Sequence, residues 1–358
     1  MAPRLPRHDG PTDPLTHARA LGVTDTAGAL LADADFVDLH LDVEVPARLF
    51  GWDPTIRHRT ARRSPAFFGH TDYPRLIEAG FTGVAHDIAT NPFRRPESRQ
   101  RTTLANLDRV VARVERYPDD LAIARTRAEY DAARRTGRLA VLPCLQGGNA
   151  FSHDPDVLDG DVGRTLHRIT LVHLTNSDLG GTSSPQGRNQ PITDKGRAFV
   201  AACNRNRVLV DLAHASKATF WGAIEAHDTT LPPVVTHTGV DGARVHWRNL
   251  DDDQIRAIAD RGGVVGVIYE SKFLAETWGR ARRADVVRHL DHLIRVGGED
   301  VAAIGTDYDG FIVPPGDLPD VTMQVLLVQD LLDAGWTEAR IRRVLGANFL
   351  RVLGQVRP

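Results

Sequence analysis

The chain has 358 residues, 42% of them hydrophobic and 25% charged, a soluble globular composition with enough material for one large core or two smaller ones. Its formal net charge is −2 with no long block of like charge, so neither nucleic acid nor an acidic membrane surface is an expected partner, and the expected ligand is small. Cys144 and Cys203 are too few for a disulfide framework or a zinc ribbon and read as small buried groups, which fits a cytoplasmic protein.

The opening stretch "MAPRLPRHDGPTDPLTHARALG" has arginines but no apolar run behind them of the kind a signal peptide needs. No run anywhere approaches the roughly 18 apolar residues of a membrane span. Residues 1–30 therefore read as an N-terminal segment, partly helical or disordered, with the first ~15 residues poorly ordered. Residues 31–358 read as one domain.

Eight apolar, β-branched-rich runs follow in order: 34–42, 81–89, 139–146, 168–175, 207–214, 232–238, 263–270 and 301–309. Segments with helical periodicity separate them, among them 104–117, 194–206, 250–262 and 284–298. Thr193-Asp194 and the acidic run Asp251–Asp253 mark two helix starts, and Gly297-Gly298 marks an end. Alternation of this kind implies parallel strands joined by right-handed crossovers, and eight is the number that closes a (β/α)₈ barrel. An open doubly wound sheet is the alternative. No G-x-G-x-x-G follows the first strand, and nearly every strand ends at its C-terminal side in His, Asp or Gln, where a barrel carries its active site. The long basic loop 51–70 is placed to cover that mouth.

Alternation along "DLHLD" puts Asp38, His40 and Asp42 on one strand face. A lone strand histidine is ordinarily a hydrogen-bonded core residue, but H-x-D at a strand end offers an imidazole and a carboxylate to one cation. His214 and His237 end two further strands, and their joint placement with His40 and Asp42 strengthens the metal reading. Cys144 and Gln146 share a face in "VLPCLQGGNA", so Gln146 can turn toward the same point while Cys144 fills core. His173, Arg248 and Asp307 stand at or just beyond other strand ends. Taken singly, Arg248 reads as a surface or capping residue and Asp309-Gly310 as a turn. His153, His227, His289 and His292 are placed in loops or on helix surfaces, without a role.

Together these segments resemble the membrane (renal) dipeptidase family, metal-dependent (β/α)₈ hydrolases, from about residue 35 to 354. "DLHLD" resembles the family's D-x-H-x-D opening, "LQGG" its E-G-G, and "ITDKGRAFVAACNRNRVLVDLAHAS" its segment ending in D-L-S-H. "PVVTHT", "RNLDDDQIRAIADRGGVVGV", "IGTDYDGF" and "VLGANFLRVL" resemble later blocks. The resemblance implies a single TIM barrel of the metallo-dependent hydrolase type that cleaves a dipeptide or similar small amide. It implies that His40 and Asp42 hold one zinc ion, that His214 and His237 hold another, and that position 146 bridges them. His173 and Arg248 would bind substrate, and Asp307 would stand at the reacting centre. The chain departs from the family at the bridge, where Gln146 replaces glutamate. An amide offers one good donor oxygen and cancels no charge, so one or two zinc ions per chain are expected, nearer one than two. A dipeptide or another small molecule is the expected partner, with a second copy of the chain the only macromolecular one. The alternatives are a relative that acts on another small amide, lactam or biosynthetic intermediate through an altered site, and an inactive ligand-binding descendant.

Overall fold

The computed structural model describes residues 2–6, 10–59, 67–91 and 93–358. Among the described residues lie nine parallel strands: β1 Val37–Leu41, β2 Gly83–Ala89, β3 Leu121–Ile123, β4 Leu139–Gln146, β5 Arg168–Thr170, β6 Leu209–Asp211, β7 Val234–Thr238, β8 Val264–Val267 and β9 Ala302–Ile304. Eight form the ring β1-β2-β4-β5-β6-β7-β8-β9. It closes where Leu41 pairs in parallel with Tyr308: Asp307 N–H donates to the His40 carbonyl (3.0 Å) and Asp42 N–H to the Tyr308 carbonyl (3.1 Å). The protein is a (β/α)₈ barrel. All eight expected strands form, each shorter than its apolar run or equal to it.

The ninth strand, β3, stands outside the ring. The eight-residue β4 pairs with β3 through Leu139–Val141 and with β5 through Cys144–Gln146.

Several helices begin or end where local chemistry satisfies their free backbone groups. Thr193 caps the helix Asp194–Arg205, its hydroxyl accepting from Gly196 N–H at 3.0 Å. Asp251 and Gln254 form a reciprocal capping box at the start of the helix Asp252–Asp260. The helix Arg283–Gly297 stops at Gly298, whose φ of 85° lies in the left-handed region. The helix Pro96–Glu115 starts eight residues before the expected segment 104–117, because Pro96 occupies its first turn, where a missing N–H removes no bond.

The described part of the N-terminal segment packs onto the rest of the chain. Leu5 is buried and donates its N–H to Asp120 (2.8 Å), and the helices Pro14–Leu21 and Asp25–Asp33 pack against Gln324–Asp333, with Thr24 N–H bound to Gln329 (3.0 Å). The expected loop 51–70 lies partly outside the described residues, which omit 60–66. Its far end is pinned beside the barrel mouth, because Gly69 and His70 both donate backbone N–H groups to Asp309 Oδ1, at 2.7 and 2.9 Å. Asp309 is accordingly a buried anchor that turns the chain and ties two loops together.

Three of the histidines expected at the surface, His227, His289 and His292, are buried, because the inner faces of barrel helices and their ends are covered. His289 accepts from Val240 N–H (3.0 Å) and His292 contacts Asp252 (2.6 Å). No helix among the described residues is long and apolar enough to cross a membrane.

Candidate active site

The barrel interior is not lined only by aliphatic side chains. Asp38, His40, Asp87, Arg168, Asp211, Thr236 and His237 all point into it and are buried. Such groups persist inside a protein only when their hydrogen bonds are satisfied or a ligand completes them.

At the C-terminal end of the strands, the structure brings together all eight residues singled out in the sequence. His40 Nε2 lies 3.5 Å from Asp42 Oδ2 and 3.6 Å from Asp307 Oδ1, and its ring stacks on that of His237 with centroids 3.7 Å apart. His214 Nε2 and His237 Nε2 approach to 2.8 Å. The Gln146 amide nitrogen sits 3.1 Å from His40 Nε2 and 3.3 Å from His214 Nε2. The His173 ring meets that of His214 edge-on at 4.8 Å. Arg248 is buried rather than on the surface, and its Nη2 donates to the His237 carbonyl at 2.9 Å. A cavity of about 210 Å³ opens beside these groups, lined by His214, Arg248, Trp247, Ser183, Asn189 and Lys217 among others.

Backbone conformation builds this cluster at some expense. His214 (φ 65°) and Asp307 (φ 61°) both occupy the left-handed region, a strain of about 1–3 kcal/mol each for a residue with a side chain. The strain turns each side chain off the end of its strand toward the barrel axis. Two glycines answer the same need. Gly147, at φ 104°, lets the chain break away directly after Gln146. A Cβ at Gly310 would stand 2.1 Å from Asp307 Oδ1 and 2.7 Å from Asp42 Oδ2, so only glycine lets the turn pass both carboxylates undisturbed.

The electrostatics divide the histidines. Burial pushes His214 and His237 well below the ordinary imidazole range, with Arg248 and His40 adding to the effect, and it lowers His173 to about 4. These three rings are neutral. For His40 burial acts in the same direction, but the Asp87 and Asp42 carboxylates outweigh it and hold a proton up to about 10. Burial lowers Arg248 to about 10 against the pull of Asp307, and burial with Asp42 raises Asp307 well above the carboxylate range.

The donor set suits a divalent metal. His40, His237 and Asp307 each bring a ligating atom within 4.8 Å of the others. Neutral imidazoles and carboxylates are the ligands of zinc-type sites. Asp42 Oδ1 and Gln146 Oε1 are buried without a hydrogen-bond partner among the described residues, an arrangement that a cation would complete.

The model of the membrane dipeptidase family, peptidase family M19, matches residues 24–358. The chain belongs to that family. It is 29% identical over 343 residues to Dipeptidase verJ of Clonostachys rogersoniana, covering 91% of this chain and 85% of that one. The solved dipeptidase AC, a metallo peptidase of family M19, superposes with a TM-score of 0.80 at 26% identity, over 90% of this chain and 98% of that one. The probable dipeptidase PvdM from Pseudomonas aeruginosa matches the fold with a TM-score of 0.82 at 17% identity, over 92% and 97% of the two chains.

Within this M19 chain, sequence reasoning missed the layer beneath the cluster. Asp87 lies 2.9 Å from His40 Nδ1, Arg168 bonds both Asp87 and Asp211, and Thr236 lies 3.0 Å from His237 Nδ1. The available signal was a charged residue inside an otherwise apolar strand, in "GVAHDIA", "RIT" and "LVD".

Proposed function

We propose that this M19 chain is a metal-dependent dipeptidase-type hydrolase acting on a dipeptide or a similar small amide. The observation that carries the reading is the convergence of three imidazoles, two carboxylates and the Gln146 amide at one barrel end, beside a cavity that holds a buried guanidinium. His40, Asp42, His214 and His237 would hold the metal, zinc by the family resemblance, with Gln146 facing it between the two pairs. A bound divalent cation supplies Lewis acidity to the scissile carbonyl and makes an attacking water more acidic.

The chain's own groups account for the remaining requirements. Arg248 reaches into the cavity with its guanidinium fork, which suits the two oxygens of a substrate carboxylate. His173, neutral and with Nδ1 free of protein partners among the described residues, stands beside His214 to hold the substrate's polar backbone. Asp307, facing His40 and Asp42, would serve as the acid/base or nitrogen-binding group at the reacting centre. Burial of the cluster excludes bulk water and strengthens each of these interactions.

The test is metal analysis of the purified protein followed by a panel of dipeptides, with His214→Ala as the comparison. Loss of both metal and hydrolysis in the variant supports the reading; a wild-type protein that holds no metal and cleaves no dipeptide refutes it. Gln146 favours a second reading, in which the same barrel turns over another small amide or lactam with an altered metal site. That reading requires a native substrate cleaved faster than any dipeptide.

A further inference from the structure

Beneath the candidate metal ligands, a continuous line of buried polar groups joins the two walls of the barrel. His40 Nδ1 lies 2.9 Å from Asp87 Oδ2, and Arg168 donates from Nη2 to that same oxygen. From Nη1 the same guanidinium donates to Asp211 Oδ2 at 3.0 Å. Asp211 Oδ2 receives the Thr236 hydroxyl at 2.7 Å, and the hydroxyl oxygen lies 3.0 Å from His237 Nδ1. All six residues are at most 1% exposed, so no solvent proton competes for these positions.

The order of protons along this line follows from which groups can only accept. Asp211 is surrounded by donors: Arg168, the Thr170 and Thr236 hydroxyls at 2.6 and 2.7 Å, and the N–H groups of Thr236 and Ala213, both at 3.0 Å. A carboxylate so placed has no proton to give. The Thr236 hydroxyl must therefore aim its hydrogen at Asp211, which leaves its oxygen lone pair for a proton on His237 Nδ1. On the other wall, Asp87 is bound to Arg168 and in the same way receives a proton from His40 Nδ1. His237 thus keeps the lone pair of Nε2, the nitrogen that faces the site, for a ligand, and His40 turns the same nitrogen to the site while Asp87 holds its Nδ1–H.

The geometry points to Arg168 as a positioning residue: one guanidinium, held between Asp87 and Asp211, fixes the ring orientation and the Nδ1–H form of His40 and His237 together. The two walls of the site are thereby set by a single side chain that touches neither the cavity nor a substrate. What the nitrogens facing the site are for rests on the metal reading above. The ordering of the protons does not. Lysine cannot replace Arg168, because a point charge cannot bridge two carboxylates from opposite walls.

Thr236→Val is the sharpest test, since it keeps the shape and β-branching of the side chain and removes only the hydroxyl link to His237. In metal-free protein labelled with ¹⁵N-histidine, long-range ¹H–¹⁵N spectra should show His237 protonated at Nδ1 in the wild type and redistributed toward Nε2 in Thr236→Val. Zinc affinity, measured in competition with a chromogenic chelator, should fall by about 10- to 100-fold in the same variant. Thr236→Ser should restore both, and a folded Arg168→Lys protein should lose both through Asp211. A folded Thr236→Val protein with His237 still protonated at Nδ1 and unchanged zinc affinity overturns the inference. If the wild type shows His237 protonated at Nδ1 but binds no zinc, the network stands and the metal reading falls instead.

Discussion

The carboxamide of Gln146 bridges two imidazoles, its nitrogen 3.1 Å from His40 Nε2 and 3.3 Å from His214 Nε2, while its oxygen has no partner among the described residues. A carboxylate here would place one oxygen toward each half of the site and cancel a unit of positive charge. The amide can do only part of the first and none of the second. Two divalent ions would then sit in a buried pocket with Asp42 as the one anionic ligand beside four neutral groups, and uncompensated charge in such surroundings costs several kcal/mol. Metal analysis after dialysis against a mild chelator should give nearer one ion per chain than two. Two tightly held ions would mean that another anion, such as Asp307, completes the bridge.

Arg248 is held by the His237 carbonyl on one side and faces the cavity on the other, with the ring of Phe273 5.9 Å from its guanidinium carbon. Arg248→Lys keeps the charge but loses the fork. For a substrate with a free carboxylate, kcat/KM should drop about 10- to 100-fold, carried mainly by KM, as expected for a lost charge-assisted hydrogen bond. An amidated substrate should show little difference between the two enzymes. Equal KM values for the acid substrate would make Arg248 a purely structural cap on His237.

Away from the site, His289 gives the fold a pH dependence of definite sign. Its Nδ1 accepts from Val240 N–H at 3.0 Å and its Nε2 lies 3.3 Å from the Leu274 carbonyl, so the neutral ring fits with Nε2 protonated. Burial lowers it to about 4 from an ordinary 6.5. Between those values the unfolded chain binds a proton that the folded chain refuses. The stabilisation is therefore complete above pH 6.5 and is lost as the pH falls toward about 4. His289→Gln can keep both hydrogen bonds without titrating. Urea unfolding at pH 7 and 4.5 should show the variant losing about 1–3 kcal/mol less stability than the wild type over that interval. Parallel losses in the two proteins would show that His289 takes no part.

The barrel and the rim of its site were legible because they rest on local signals. Each ring strand is an apolar, β-branched run, and each candidate ligand stands at or just past a strand end. What escaped was non-local. Strand β3 has three residues and pairs only with the part of β4 that β5 leaves free, so "LAI" carries no pattern of its own. Asp309 looks like a turn residue, and Arg248 taken singly looks like a surface one, until the neighbouring loops fold over them; the family resemblance alone marked Arg248 for the site. The line from Asp87 through Arg168 to Asp211 joins three strands, and no spacing along the chain encodes it. Charged residues within short apolar strands were its single trace.

Gln146→Glu bears on both readings of the site at once. The new carboxylate would occupy the position between His40 and His214, where it can offer an oxygen to each side and supply the missing negative charge. Bound metal should rise toward two ions per chain, and dipeptide hydrolysis should rise with it, because two cations acidify a water held between them more than one does. If the natural glutamine is tuned to another small amide, the same substitution should raise metal content and dipeptide cleavage while lowering turnover of that native substrate. Measuring zinc content and both rates on one preparation separates the two cases. Should metal content and every hydrolytic rate stay unchanged, the amide plays no part in the metal site, and its contacts with His40 and His214 serve only to pack the barrel mouth.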